Sequence, residues 1–223
     1  MSYGLEVFSP FNSVLIDENV VCARRIAVHT ISTAAPNGFG VCIGSLSVGG
    51  AAGNYVALTK DSRFHTVRLR LLAAGGYTIE VYVESGAATS VEVTVLGFTP
   101  PVASSEYGLE VFSPSGSRVF SSAENNIALL GDVDLLTYTS TAKTASIANP
   151  TARNLMIPFA YGILGFDVVP VNAGQSRLQT AFGRVASVSS IEYKVGALAI
   201  IGGGTGVGYE NYLTTNALPI FLE

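Results

Sequence analysis

Two histidines, His29 and His65, and two cysteines, Cys22 and Cys42, are the side chains of this chain best suited to acid–base or nucleophilic work, and all four lie in its first half. A Ser-His-Asp or Cys-His unit would have to be built on one of these histidines, since activating a hydroxyl or thiol at neutral pH calls for an imidazole within hydrogen-bond reach. Neither sits in a motif that supplies partners. Each falls inside an apolar, β-branched run, V-H-T-I around His29 and F-H-T-V around His65, and so reads as an ordinary strand histidine. The nearest approach to a nucleophile elbow, Ser45-Leu46-Ser47-Val48-Gly49, lacks the first glycine that the strained turn requires. Two cysteines are too few for a metal site or a disulfide framework. They read as buried free thiols packing as small hydrophobes, with a Cys22–Cys42 bridge left open.

Other patterns fail on detail. Asp132 and Asp134 form a D-x-D, yet a calcium ion takes six or more oxygens and the flanks add only Glu124, Asn125 and Asn126, so the segment reads as a turn. The run Gly202-Gly203-Gly204-Thr205-Gly206-Val207-Gly208 has no Lys-Ser/Thr after it and no G-x-G-x-x-G spacing, and reads as a loop or an arm towards a neighbouring subunit. Trp, the best surface for stacking on sugars, is absent, and the ten tyrosines are dispersed. Asn149-Pro150-Thr151 is blocked as a glycosylation site by its proline. No catalytic, cofactor-binding or metal residue is assigned, and the expectation is a protein that is not an enzyme.

The elements that would have to position any chemistry read as strands. Phe64 to Leu71, Tyr77 to Glu84 and Ser90 to Phe98 alternate apolar and polar residues, for instance Val67, Leu69 and Leu71 against Arg68 and Arg70, and glycine turns join them. Three such runs in succession predict an antiparallel meander. Val20 to Ile31 and Phe39 to Val48 precede them as strands, and Gly49, Gly50, Gly53 and Asn54 form a loop. Further on, Ile127 to Leu130, Leu135 to Tyr138, Leu155 to Phe159, Phe166 to Val171, Ser187 to Tyr193, Gly196 to Ile201 and Leu218 to Leu222 are short apolar or alternating runs. Gln175 to Val185 comes nearest to helical spacing but is a poor candidate.

Composition narrows the class. Apolar residues make up 48% of the 223-residue chain, enough for two cores, while charged residues make up 13%, well below the usual quarter. That deficit suggests surface covered by further copies or by partners, the alternative being a neutral polar surface rich in Ser, Thr, Asn and Gly. The net charge of −4 and pI of about 5.2, with scattered Lys and Arg, argue against nucleic acid as a partner. The start lacks the basic and apolar regions of a signal peptide, and no apolar run reaches membrane-helix length. The chain is expected to be made in a cytoplasm and to avoid membranes.

The strongest signal is a repeat. Tyr3 to Pro10 reads Y-G-L-E-V-F-S-P, and Tyr107 to Pro114 reads the same. In the second copy Ser113-Pro114-Ser115-Gly116 has the chemistry of a type I turn, predicting a hairpin of Tyr107 to Phe112 and Ser117 to Ser121, and Asn12 replaces the glycine in the first copy. Identity of this length implies duplication. The expected fold is all-β, two tandem antiparallel β-sandwich domains, 1–99 and 106–223, joined by a Pro/Ser linker at 100–105.

The opening hairpin, carried by Tyr107, Gly108, Leu109, Val111, Phe112 and Gly116 and by Tyr3, Gly4, Leu5, Val7 and Phe8, resembles the start of small structural virion proteins of tailed bacteriophages, especially tail-associated ones. The resemblance implies a non-enzymatic virion component at the tail, tail tip or fibre. Its partners would be itself and other virion proteins; alternatives are a capsid decoration protein and a glycan- or receptor-binding adhesin facing the host surface.

Overall fold

The computed structural model describes residues 7–8, 14–16, 23–98, 108–123, 128–134, 141–149, 154–159, 166–172, 175–202 and 217–222. The described elements are all strands: β1 (Val7–Phe8), β2 (Val14–Ile16), β3 (Arg24–Ser32), β4 (Val41–Val48), β5 (Tyr55–Thr59), β6 (His65–Leu71), β7 (Tyr77–Glu84), β8 (Ser90–Gly97) and β9 (Glu110–Phe112) lead. They are followed by β10 (Arg118–Ser121), β11 (Ala128–Asp134), β12 (Lys143–Ser146), β13 (Leu155–Phe159), β14 (Phe166–Asn172), β15 (Gln175–Ser187), β16 (Ser190–Gly202) and β17 (Ala217–Leu222). The all-β antiparallel sandwich expected from the alternating runs is what forms.

Two sheets make the sandwich, one of six strands in the order β11-β17-β13-β5-β8-β3 and one of seven in the order β12-β16-β15-β6-β7-β4, with β14 pairing β15 beside this path. Each half of the chain supplies its own block to each sheet. Outward from the junction the blocks run β5-β8-β3 and β13-β17-β11 in one sheet, and β6-β7-β4 and β15-β16-β12 in the other. Strand for strand, the order within the second half repeats that of the first once β14 is set aside.

The two halves share both sheets. They meet edge to edge: β13 pairs antiparallel with β5 (Ile157↔Thr59 to Phe159↔Ala57), and β15 pairs with β6 at Gly183↔His65. The core runs through the junction, with Leu155, Ile157, Ile191 and Tyr193 packed with Val67, Ile79, Val81, Val93 and Val95. The physical reason is edge satisfaction. A three-stranded block leaves an inner edge of unpaired N–H and C=O groups, and the equivalent edge of the other half satisfies it.

Several boundaries differ from expectation. The meander stops at the β6–β7 hairpin, because β8 crosses to the other sheet, where it pairs with β3 and β5. Residues Val91, Val93 and Val95 of β8 fill the shared core while Thr94 and Leu96 are buried on its other face. β5 falls between the loop read at Gly49 to Asn54 and the strand read from Phe64, in residues given no element, because Ala57, Leu58 and Thr59 are buried in succession and show no alternation. Asp132 and Asp134 belong to a continuous strand opposite Pro219 and Ala217, not to a turn. Gln175–Ser187 is a strand, and Ser190–Gly202 is one strand where the sequence suggests two. The linker 100–105, Cys22 and residues 203–208 lie outside the described residues.

Both copies of the repeated octapeptide lead into a hairpin of the same register. Phe8 faces Val14 as Phe112 faces Arg118, and Val7 faces Ile16 as Val111 faces Phe120, with the register shift in the same place. In the second copy Gly116 N–H donates to Ser113 O at 2.9 Å, and Gly116 has a φ of +81°, so a type I turn ends on a left-handed glycine.

Candidate functional site

Of the side chains expected to be capable of chemistry, Cys42 and His29 lie on β4 and β3, while His65 lies where the chain crosses between sheets, at the end of the connection from β5 to β6. Its sequence, Thr59-Lys60-Asp61-Ser62-Arg63-Phe64-His65, is built from short side chain to backbone bonds that fold it tightly. Asp61 N–H donates to Thr59 Oγ1 at 3.0 Å, and Arg63 N–H donates to Asp61 Oδ1 at 2.8 Å. Both ends are tied outward as well, Val185 N–H donating to Asp61 O at 3.0 Å and Glu84 N–H to Phe64 O at 2.8 Å.

His65 is fully buried. Its Nδ1 lies 2.7 Å from the Arg63 carbonyl oxygen, which can only accept, so Nδ1 carries a proton. Its Nε2 lies 3.0 Å from Thr59 Oγ1, and the hydroxyl therefore donates to it while accepting from Asp61 N–H. Burial pushes the imidazole below its ordinary 6.5; the Arg63 carbonyl and the Asp61 charge pull it up, the Arg63 charge pushes it further down, and the balance stays low. Thr59 and His65 have the separation of a nucleophile and its base, but they are 1% and 0% exposed. The hydroxyl's bonds are already committed, and this arrangement serves to lock the crossover.

Asp61 and Arg63 form a two-pronged ion pair through Arg63 Nε and NH2, and the same guanidinium reaches Thr89 Oγ1 and the Ser90 carbonyl at the start of β8. Burial alone would raise the Asp61 carboxyl. The hydrogen bonds from the Arg63 side chain and backbone, with the fields of His65 and Arg63, outweigh it and hold the group below 3.8. The crossover is thus pinned to β8, to β15 and, through His65, to the core.

Cys42 is a free, buried thiol. Its Sγ donates towards Ala87 O at 3.2 Å and Ser85 O at 3.7 Å, which uses the S–H to hold the loop after β7. His29, at the edge, bonds through Nε2 to Tyr77 Oη at 2.9 Å, and Tyr77 meets Tyr55 edge-on with ring centroids 4.9 Å apart. The two histidines thus enter different networks.

On the outer face of the seven-stranded sheet the halves are joined again. Arg184 and Lys194, from β15 and β16, lie 4.6 and 4.5 Å from the centre of the Phe64 ring. Lys194 pairs with Glu84 at 2.7 Å, and Arg184 with Glu192 at 2.6 Å. Tyr82 nearby donates to Glu80 at 3.3 Å, and burial with the Glu80 charge pushes its phenol up to about 12.

Sequence reasoning singled out His29, His65 and Cys42 but not Thr59, Asp61, Arg63 or Thr89. The alternation of Thr59, Asp61 and Arg63 between two apolar runs was the available sign of a side chain-capped crossover. Among the described residues no three His, Cys, Asp or Glu side chains come together as a metal site. Compared with protein families, curated proteins and solved structures, the chain matches none.

Proposed function

We propose that this chain is a structural protein that works through subunit contacts, a building block of a tailed-bacteriophage particle at its tail or tail tip. The observation that carries the reading is the way the two halves meet, each sheet being extended by antiparallel addition of the equivalent strand, β13 to β5 and β15 to β6. The matching strand orders and the two hairpins of equal register support an internal duplication, in which a unit that once assembled by its edges was fused into one chain.

Two further features fit this role. The low charge content leaves neutral surface for contacts, and the second opening hairpin displays Leu109 and Phe112, 46% and 49% exposed, while Val111 and Val119 anchor it. Of the groups best suited to catalysis, His65 and Cys42 are spent on holding crossovers. Mass spectrometry and cryo-electron microscopy of purified particles test the reading. The chain is expected in regular copies on the tail; regular copies on the head would move the assignment to capsid decoration, and absence from the particle would overturn it.

A further inference from the structure

We infer that the seam between the two halves is an acid-opened latch, in which the His65 imidazole takes up the proton. His65 stands where both sheets are joined. In the seven-stranded sheet it is the register partner of Gly183, the described pair that joins β6 to β15, and just beyond it Val185 N–H donates to Asp61 O at 3.0 Å. In the six-stranded sheet Thr59 is the register partner of Ile157 and so joins β5 to β13. The 3.0 Å bond between Thr59 Oγ1 and His65 Nε2 therefore ties one seam to the other. On the side of the second half the two seams also touch, since Ile157 Cδ1 lies 3.5 Å from where a Cβ of residue 183 would stand.

This arrangement needs a neutral ring. Nδ1 carries the proton given to the Arg63 carbonyl, and Nε2 accepts from the Thr59 hydroxyl. A second proton would turn Nε2 into a donor facing an oxygen that already accepts the Asp61 N–H, and the hydroxyl proton would lose its acceptor. The ring is 0% exposed, so the added charge meets no solvent either. Parting of the seam admits water and relieves both costs. Acid thereby favours the open form.

The groups around the ring do not offset the charge. In its own connection Asp61 would attract the proton, but that carboxylate is committed to Arg63, whose guanidinium repels it. Cys42 of β4 is a thiol bonded to the loop after β7, and β13 holds no titratable residue. Tyr193 of β16 has its phenol pushed up by burial and stays neutral. The remaining charges pair with one another: Glu80 of β7 with Arg68 and Arg70 of β6, Glu84 of β7 with Lys194 of β16, Glu192 of β16 with Arg184 of β15, and Glu92 of β8 with Lys60. The other histidine, His29, lies on β3, which takes no part in either seam.

The test follows amide exchange of the full chain between about pH 7.5 and 5.5, corrected for the intrinsic pH dependence of exchange. Protection of the Val185 amide is expected to fall by up to about tenfold, the limit for an imidazole that titrates at about 6.5 once the seam is open. Amides of the β3–β8 ladder should keep their protection. His65→Asn should abolish the pH dependence at Val185, and His29→Asn, which leaves His65 as the remaining histidine, should preserve it. If His65→Asn does not fold, the wild-type chain and His29→Asn decide. Val185 protection that ignores pH, a loss shared equally by the β3–β8 ladder, or a pH dependence that vanishes in His29→Asn overturns the latch. Each of these results leaves the subunit-contact role standing, which the particle experiment tests separately.

Discussion

Thr59 Oγ1 stands 3.0 Å from His65 Nε2 and simultaneously accepts the Asp61 backbone N–H at 3.0 Å. One hydroxyl thus satisfies a buried imidazole and closes the crossover from β5 to β6. Thr59→Val, which keeps the shape, strands both partners and should cost about 1–3 kcal/mol in denaturant unfolding, whereas Thr59→Ser should cost less. Equal losses for the two would mean the hydroxyl does not carry the effect.

The same burial makes His65 a source of pH dependence. Its folded value lies below the ordinary 6.5, so the folded chain binds fewer protons than the unfolded one as pH falls past that point. Stability from this group is complete above 6.5 and declines as the solution is acidified towards the depressed folded value. Asp61, held below 3.8, adds a separate loss that sets in only under more acid conditions. Denaturation midpoints measured between about pH 5 and 7 should fall with acidity, within the ordinary range over which histidines titrate. His65→Asn should lower the midpoint throughout and flatten its slope; an unchanged slope would show that His65 does not titrate on unfolding.

Arg63 ties Asp61 to Thr89 and Ser90, so it links the crossover to β8 and not only to its own loop. Lysine offers no fork for the carboxylate and cannot reach three partners at once, so Arg63→Lys should behave nearly as Arg63→Ala. A double-mutant cycle with Asp61→Asn should give a coupling of about 1 kcal/mol, modest because the guanidinium is partly exposed to solvent. No coupling would mean that the pair is incidental to the crossover.

What could be read beforehand follows a physical line. Strands with one face in the core, such as Tyr77–Glu84, announce themselves by alternation, and the hairpin at Ser113–Gly116 by its turn residues. β5 stayed hidden because both its faces are covered, and the passage of β8 to the opposite sheet because pairing partners leave no local trace. His65 was legible as a strand histidine; the role of Thr59 depends on a crossover whose geometry only the fold supplies.

The shared core makes the halves fold together. Ile157, 1% exposed, packs in the cluster that holds Val67, Ile79 and Val93 of the first half. Ile157→Ala should therefore cost about 2–5 kcal/mol, the range for deleting buried aliphatic groups, and lower one transition reported alike by probes in both halves. Two separate transitions, with only the second moved, would show that the halves unfold independently despite the continuous sheets.

Gly116 offers a test of why the repeated hairpin tolerates different residues at its turn. A side chain there meets nothing within 4 Å, so any penalty comes from the φ of +81° alone. Alanine in that left-handed conformation should cost about 1–2 kcal/mol, and asparagine, whose short amide accepts it, well under about 1 kcal/mol. Asn12 occupies the matching place in the first copy, which is the substitution this ordering allows. The loss should register in equilibrium unfolding because the hairpin is docked through Val111, Val119 and the fully buried Ser121. If Gly116→Asn proved as costly as Gly116→Ala, backbone handedness would not be the source of the penalty at this turn.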